Sequence, residues 1–199
     1  MREHILFYES PVDVNPRNIE AWNAALPIGN GSLGAMVFGG IEKERIQLNE
    51  ETLWYGGDCR NRTNPDAITY IPEIRRLLKE GKVKEAQRLG RLSMVAGPEG
   101  ERIYSTAGDM FLEFEEDEKK ARNYRRSLDL SEAITRVSYN IDDTHFAREV
   151  FCSSVHKVLV MRIKANKEER LHFITGFARD KQLDENKAVS FNTIHMTGQ

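Results

Sequence analysis

The chain has 199 residues, 40% hydrophobic and 30% charged, with 14 glycines and 6 prolines. That composition excludes a disordered, collagen-like or low-complexity chain and suits one large domain or two small ones. Lys plus Arg is 29 against 31 Asp plus Glu, a net charge of −2, so no overall basic field exists to hold nucleic acid or an anionic membrane.

No apolar run is longer than Ala35–Phe38, which falls far short of the roughly 20 residues that span a bilayer. Met1–Glu9 mixes acids with a short apolar stretch, which is not a signal peptide, so a cytoplasmic location is expected. Two cysteines, Cys59 and Cys152, form no CxxC pair and indicate neither a disulfide framework nor a structural zinc site. Cys152 reads as a small buried hydrophobe in a strand, and Cys59 sits in a polar stretch.

Residues 1–57 hold apolar segments punctuated by glycine. Within them Gly29-Asn30-Gly31-Ser32-Leu33-Gly34 matches G-x-G-x-x-G letter for letter. A dinucleotide site needs a buried strand before these glycines and a long helix after them. Here Pro27 precedes, and only Ala35–Phe38 follows before Gly39 and Gly40. The expectation is a tight turn into a strand, with no nucleotide and no other cofactor.

The middle section predicts a short helical insertion around residues 65–92. Ile71, Ile74, Leu77 and Leu78 share one helical face, Pro72 suits a helix start, and Lys79 then Gly81 suit its end. Val83, Ala86 and Leu89 mark a second short helix.

From residue 101 onward the pattern has period two. Met110–Phe114, Leu128 with Leu130, Thr135–Tyr139, Phe146–Cys152, Leu171–Phe177 and a last segment from Val189 to Met196 read as strands. Val158–Met161 is apolar on both faces, as a central strand would be, and Ile141–Thr144 is a hairpin turn. The fold class is mainly β, an antiparallel β-sandwich.

Few residues read as catalytic. The five histidines are scattered without ligand spacing, no G-x-S-x-G elbow exists, and Glu113–Glu118 suits a solvated acidic turn. No catalytic residue and no metal ligand is assigned. The stretch harder to explain by packing is Ile46–Gly57, where Asn49, Glu50, Thr52, Trp54 and Tyr55 fall together. Aromatic rings beside amide and carboxylate groups suit a sugar, whose C–H faces stack and whose hydroxyls need polar partners. Packing alone offers the opposing account, with Leu53 and Trp54 as a plug and Asn49 and Glu50 capping the loop.

Trp22, then Ala25–Gly40, then Glu44–Trp54 together resemble the start of glycoside hydrolase family 95, the inverting α-L-fucosidases. The likeness continues through Ile74–Leu78 with Glu85–Gln87, then Gly108–Met110, Tyr124–Leu130 and Arg148–Ser153, nearly the whole chain. The resemblance implies the N-terminal super-sandwich domain that such enzymes place before a helical α/α barrel. The barrel would carry the acid and base-side residues that inversion requires. Residues 1–199 are then one non-catalytic domain of a larger glycosidase, inactive alone, whose sandwich is expected to continue in further strands. Its partners would be that barrel and, through the full-length enzyme, a fucosylated oligosaccharide. The loop Asn49, Glu50, Thr52, Trp54, Tyr55 would form part of the pocket rim.

Three positions depart from the family pattern. Ser32 stands where Arg is frequent, Tyr55 where Ser is usual, and Ser105-Thr106-Ala107 where a Gln-Pro-Leu type loop is common. These departures bear on substrate preference. The alternative function, from a different class, is a stand-alone carbohydrate-binding β-sandwich module stacking sugars on Trp54 and Tyr55. If closing strands are missing, an apolar edge near Val189 to Met196 should be exposed.

Overall fold

A computed structural model describes residues 4–15, 17–54, 64–94, 104–179 and 183–198. The chain forms two compact units. One comprises the segments up to Leu53 and from Ser105 onward, and the other is Trp54–Tyr104.

The first unit is an antiparallel β-sandwich. Its strands are β1 (Ile5–Tyr8), β2 (Leu26–Gly29), β3 (Leu33–Val37), β4 (Lys43–Glu50), β5 (Gly108–Phe114), β6 (Ala121–Asp129), β7 (Ile134–Ile141), β8 (Thr144–Ser153), β9 (Val158–Ala165) and β10 (Phe173–Ala178), with a hairpin β11 (Leu183–Ser190) and β12 (Thr193–Gly198). One sheet has the order β1-β6-β7-β8-β9, and the other β10-β5-β4-β3-β2. Period-two alternation on β7 sends Thr135, Val137, Tyr139 and Ile141 inward, and on β8 Thr144, Phe146, Arg148 and Val150. Leu26, Ile28, Ala35, Val37 and Ile46 of one sheet close against Leu128 and Val150 of the other.

The glycine pattern is a hairpin. Gly29 pairs with Gly34, and Asn30 Oδ1 accepts from the Ser32 and Leu33 N–H groups at 3.1 and 2.8 Å. Gly31 takes φ +98°, a region that disfavours side chains. Asn30 Nδ2 also donates to Ser153 O at 2.8 Å, tying the turn to the opposite sheet. Pro27 is accommodated because β2 lies at the end of its sheet, where a missing N–H breaks no ladder bond. At the next turn, a Cβ on Gly40 would sit 1.9 Å from Lys43 O, so only glycine fits.

Three expectations change in this unit. Val158–Met161 belongs to β9, which ends its sheet in place of lying centrally, because β8 is its sole partner among the described strands. The segment from Val189 to Met196 is two strands: Phe191 and Asn192 turn between β11 and β12, leaving Phe191 fully exposed. A helix absent from the sequence reading, α1 (Ile19–Ala24), is capped by Asn18 Oδ1 accepting from Ala21 N–H at 3.1 Å. Its Ala21 packs with Ala25 and Phe38 against Val12, Val14 and Met36.

The second unit is a helical hairpin of α2 (Ala67–Lys79) and α3 (Val83–Ser93), matching the expected insertion. Leu77 and Ala86 are buried, while Leu78 is exposed, so the apolar face is narrower than its periodicity suggests. Because α2 begins at Ala67, Pro72 lies inside it, not at its start. Gly81 ends it at φ +74°, with Lys82 N–H donating to Leu77 O at 2.9 Å, a left-handed glycine stop. Among the described residues no helix is long and apolar enough to cross a membrane.

Candidate functional site

β4 carries the residues singled out in the sequence, and its alternation divides them. Glu44, Ile46 and Leu48 face the sandwich interior, so Gln47 and Asn49 lie on the outer face and Glu50 on the inner side at the sandwich rim. Asn49 and Glu50, adjacent in sequence, therefore do not point at one substrate from one surface. Asn49 pairs in register with Gly34, and Gln47 with Met36.

Glu50 turns onto its own loop. Its Oε2 accepts from Thr52 N–H at 2.9 Å and from the Thr52 hydroxyl at 2.5 Å, and the turn closes with Leu53 N–H on Glu50 O at 3.3 Å. The hydroxyl first, and then the backbone N–H, hold the Glu50 carboxyl below the usual carboxylate range. Glu50 and Thr52 thus form a capped turn at the end of β4, which matches the packing account for Glu50 alone.

Trp54 belongs to the helical unit. It bridges to Tyr104, with ring centroids 5.2 Å apart at 68°, an edge-to-face pair. Trp54 is 51% exposed, so its indole offers surface to a ligand. Tyr55 and Cys59 lie outside the described residues.

The outer face of the second sheet adds a residue that the loop-centred reading missed. α1 places Trp22 so that its Nε1 donates to Gln47 Oε1 at 2.7 Å, which fixes an indole still 43% exposed. Asn49 follows two residues along the same face, roughly 7 Å away by strand rise. A fixed aromatic plane beside amide groups is the chemistry of sugar recognition. The readable signal was the spacing of Gln47 and Asn49, two apart on one strand. Trp22 entered only through the family resemblance, because α1 is too short to register as a helical period.

Glu44 is the one carboxylate among the described residues that is completely buried, and it serves the fold. Its Oε1 accepts from the Gly39 and Arg45 N–H groups at 2.8 and 3.1 Å, and its Oε2 from Arg148 Nη1 at 2.8 Å. Arg148 also donates to Gly40 O, Ile41 O and Tyr139 Oη at 2.6, 3.2 and 2.9 Å. Burial pushes the Glu44 carboxyl up, opposed by Arg148 and the two N–H groups. With every oxygen engaged between two sheets, Glu44 has no face to offer a substrate. Inverting hydrolysis needs two carboxyl groups flanking a glycosidic bond, and Glu44 and Glu50 are each committed to local structure.

Cys152 is half-buried on β8 against the core, where burial pushes its thiol up. Glu115, Asp117 and Glu118 are exposed, as an acidic tip would be.

The chain matches the model of the family described as glycosyl hydrolase family 65, N-terminal domain, over residues 6–199. It is 35% identical over 181 residues to alpha-L-fucosidase 2 of Arabidopsis thaliana, covering 89% of this chain and 21% of that protein. It is 30% identical over 196 residues to probable alpha-fucosidase A of Aspergillus niger, covering 93% and 24%. For the protein of the same name from Aspergillus oryzae, the figures are 25% over 150 residues, 72% and 20%. The chain therefore spans between a fifth and a quarter of the length of these curated relatives.

Proposed function

The chain belongs to the glycosyl hydrolase family 65 N-terminal domain family, and from that premise we propose that it is the non-catalytic β-sandwich domain of an inverting α-L-fucosidase of glycoside hydrolase family 95. The full-length enzyme removes terminal α-linked L-fucose from glycans in the cytoplasm. Bond cleavage is assigned to an α/α barrel in polypeptide outside these 199 residues, against which this domain packs. The observation that carries the reading is the likeness to alpha-L-fucosidase 2 across 89% of the chain. The engagement of Glu44 and Glu50 in local structure supports the division of labour.

The domain contributes a rim to the sugar pocket through Asn49 on the outer face of β4, next to the turn that Glu50 and Thr52 shape. Hydrolysis of a chromogenic α-L-fucoside by the full-length protein, with none by the 199-residue chain, is the expected result. Release of fucose by the isolated chain would overturn the assignment, and proton NMR of the first-formed anomer tests inversion.

The two half-exposed indoles, Trp22 and Trp54, favour a second reading, a carbohydrate-binding module acting by itself. It requires saturable heat when fucose or a fucosylated glycan is titrated into the chain, lost in Trp54→Ala.

A further inference from the structure

The outer face of the sheet β1-β6-β7-β8-β9 holds a depression of about 430 Å³ lined mainly by outward residues of four adjacent strands. Register arranges them in two rows. One runs Ser127, Arg136, Glu149, Arg162, and the other Arg125, Ser138, Ala147, Lys164.

The first row neutralises itself. Glu149 accepts from Arg136 Nε at 3.3 Å and from Arg162 Nη2, and Arg136 also reaches Glu132 at 2.5 Å and Asp129 at 3.7 Å. The second row does not. Arg125 lies over the Phe7 ring at 4.6 Å, and among the described residues neither it nor Lys164 has a carboxylate partner. Three strand spacings of ~4.8 Å set their backbones about 14 Å apart, with only the small side chains of Ser138 and Ala147 between. Two long cationic side chains thus flank a low floor edged with the hydroxyls of Ser127 and Ser138.

From this arrangement we infer an anion-binding site whose ligand is an acidic oligosaccharide, one bearing carboxylate or sulfate groups. β6, β7 and β8 are paired on both sides, and the free edge of β9 lies on the side away from Ser138 and Ala147, so a peptide lying over that floor has no free backbone to pair with. A ligand must be read by charge and hydroxyl groups, which an acidic sugar supplies along its whole length. The site lies on a different face from Asn49 and does not depend on fucose being the substrate.

The test titrates the 199-residue chain by calorimetry with a heparin-derived tetrasaccharide at about 50 and about 300 mM salt, concentrations that span strong and weak screening. Saturable binding is expected, weakened about tenfold at the higher salt. Arg125→Ser with Lys164→Ser should weaken it at least about tenfold with circular dichroism unchanged, while Lys79→Ser on α2 should leave it intact. Absence of heat, an equal loss in Lys79→Ser, or equally tight competition by a poly-glutamate peptide would each overturn the inference. The fucosidase reading stands or falls separately, on fucose release by the full-length protein.

Discussion

Glu44 on β4 and Arg148 on β8 meet at 2.8 Å between the two sheets, at 0% and 1% side-chain exposure. The pair is enclosed by aromatic rings, with Arg148 Cζ 4.2 Å from the Phe114 centroid and Tyr139 stacked on Phe146 at 5.3 Å. Such a pair favours one pairing of the sheets, because sliding either strand by one residue would strand a charge in the core. Removing one partner, in Glu44→Leu or Arg148→Leu, should cost about 3–5 kcal/mol. The double substitution should cost less than the sum of the two. Urea denaturation of all four proteins measures the coupling, and strict additivity would show that the pair makes no net contribution.

Ile46 and Val150 touch the same core from opposite sheets, each with no exposed surface. Ile46→Ala should destabilise by roughly 2–5 kcal/mol, through lost transfer energy and an unfilled cavity. The midpoint of thermal or urea unfolding reads this directly. A change below about 0.5 kcal/mol, the range of ordinary surface substitutions, would place Ile46 outside the packed core.

Gly39 adopts φ +77°, and a Cβ there would lie 2.6 Å from Tyr124 Oη, whose hydroxyl donates to Gly39 O at 2.6 Å. Gly39→Ala therefore meets both backbone strain and a clash with a half-buried phenol. A loss of about 1–3 kcal/mol is expected. Tyr124→Phe should relieve the contact, so the pair of changes together should cost less than the glycine change plus the tyrosine change.

At Cys152 burial raises the thiol pKa, which keeps the thiolate scarce. The rate of iodoacetamide labelling at Cys152 should trail that of a free cysteine at pH 8 and go on rising above the ordinary thiol value of about 8.5. Peptide mapping by mass spectrometry follows this one site, and a rate equal to that of glutathione would contradict it.

If the proposed function holds, Trp22→Ala and Asn49→Ala in the full-length protein should raise KM for a fucosylated oligosaccharide with little change in unfolding midpoint. Gln47→Leu, which removes the acceptor that fixes the indole, should produce part of the Trp22→Ala effect. An unchanged KM in all three would remove the outer face of β4 from the rim.

Period two on β7 and β8 was legible because those strands bury one face and wet the other, which writes the alternation into the residue types. The helical hairpin was legible for the same reason at a longer period, and its glycine stop was in place at Gly81. The position of β9 was not legible, since apolar residues on both faces are equally consistent with a central strand and an end strand. The split at Phe191 was hidden because a turn seldom carries an exposed phenylalanine, and nothing in the local residues marks it.

Within the candidate site, residue types alone placed Asn49, Glu50 and Thr52 in one loop. The sandwich decided that Asn49 and Glu50 diverge to opposite sides of a sheet and that Glu50 Oε2 turns onto Thr52.

The amino-acid sequence by itself determined the class of fold, the tight turn at Gly29–Gly34 and the helical insertion, because backbone sterics and face-by-face polarity act over a few neighbouring residues. Only the tertiary structure decided which distant charges meet. Glu44 and Arg148 stand 104 residues apart along the chain, and Arg125 and Lys164 share a row only because β6, β7, β8 and β9 lie side by side. Such meetings follow from sheet order and register, which are properties of the whole packed core and not of any local stretch.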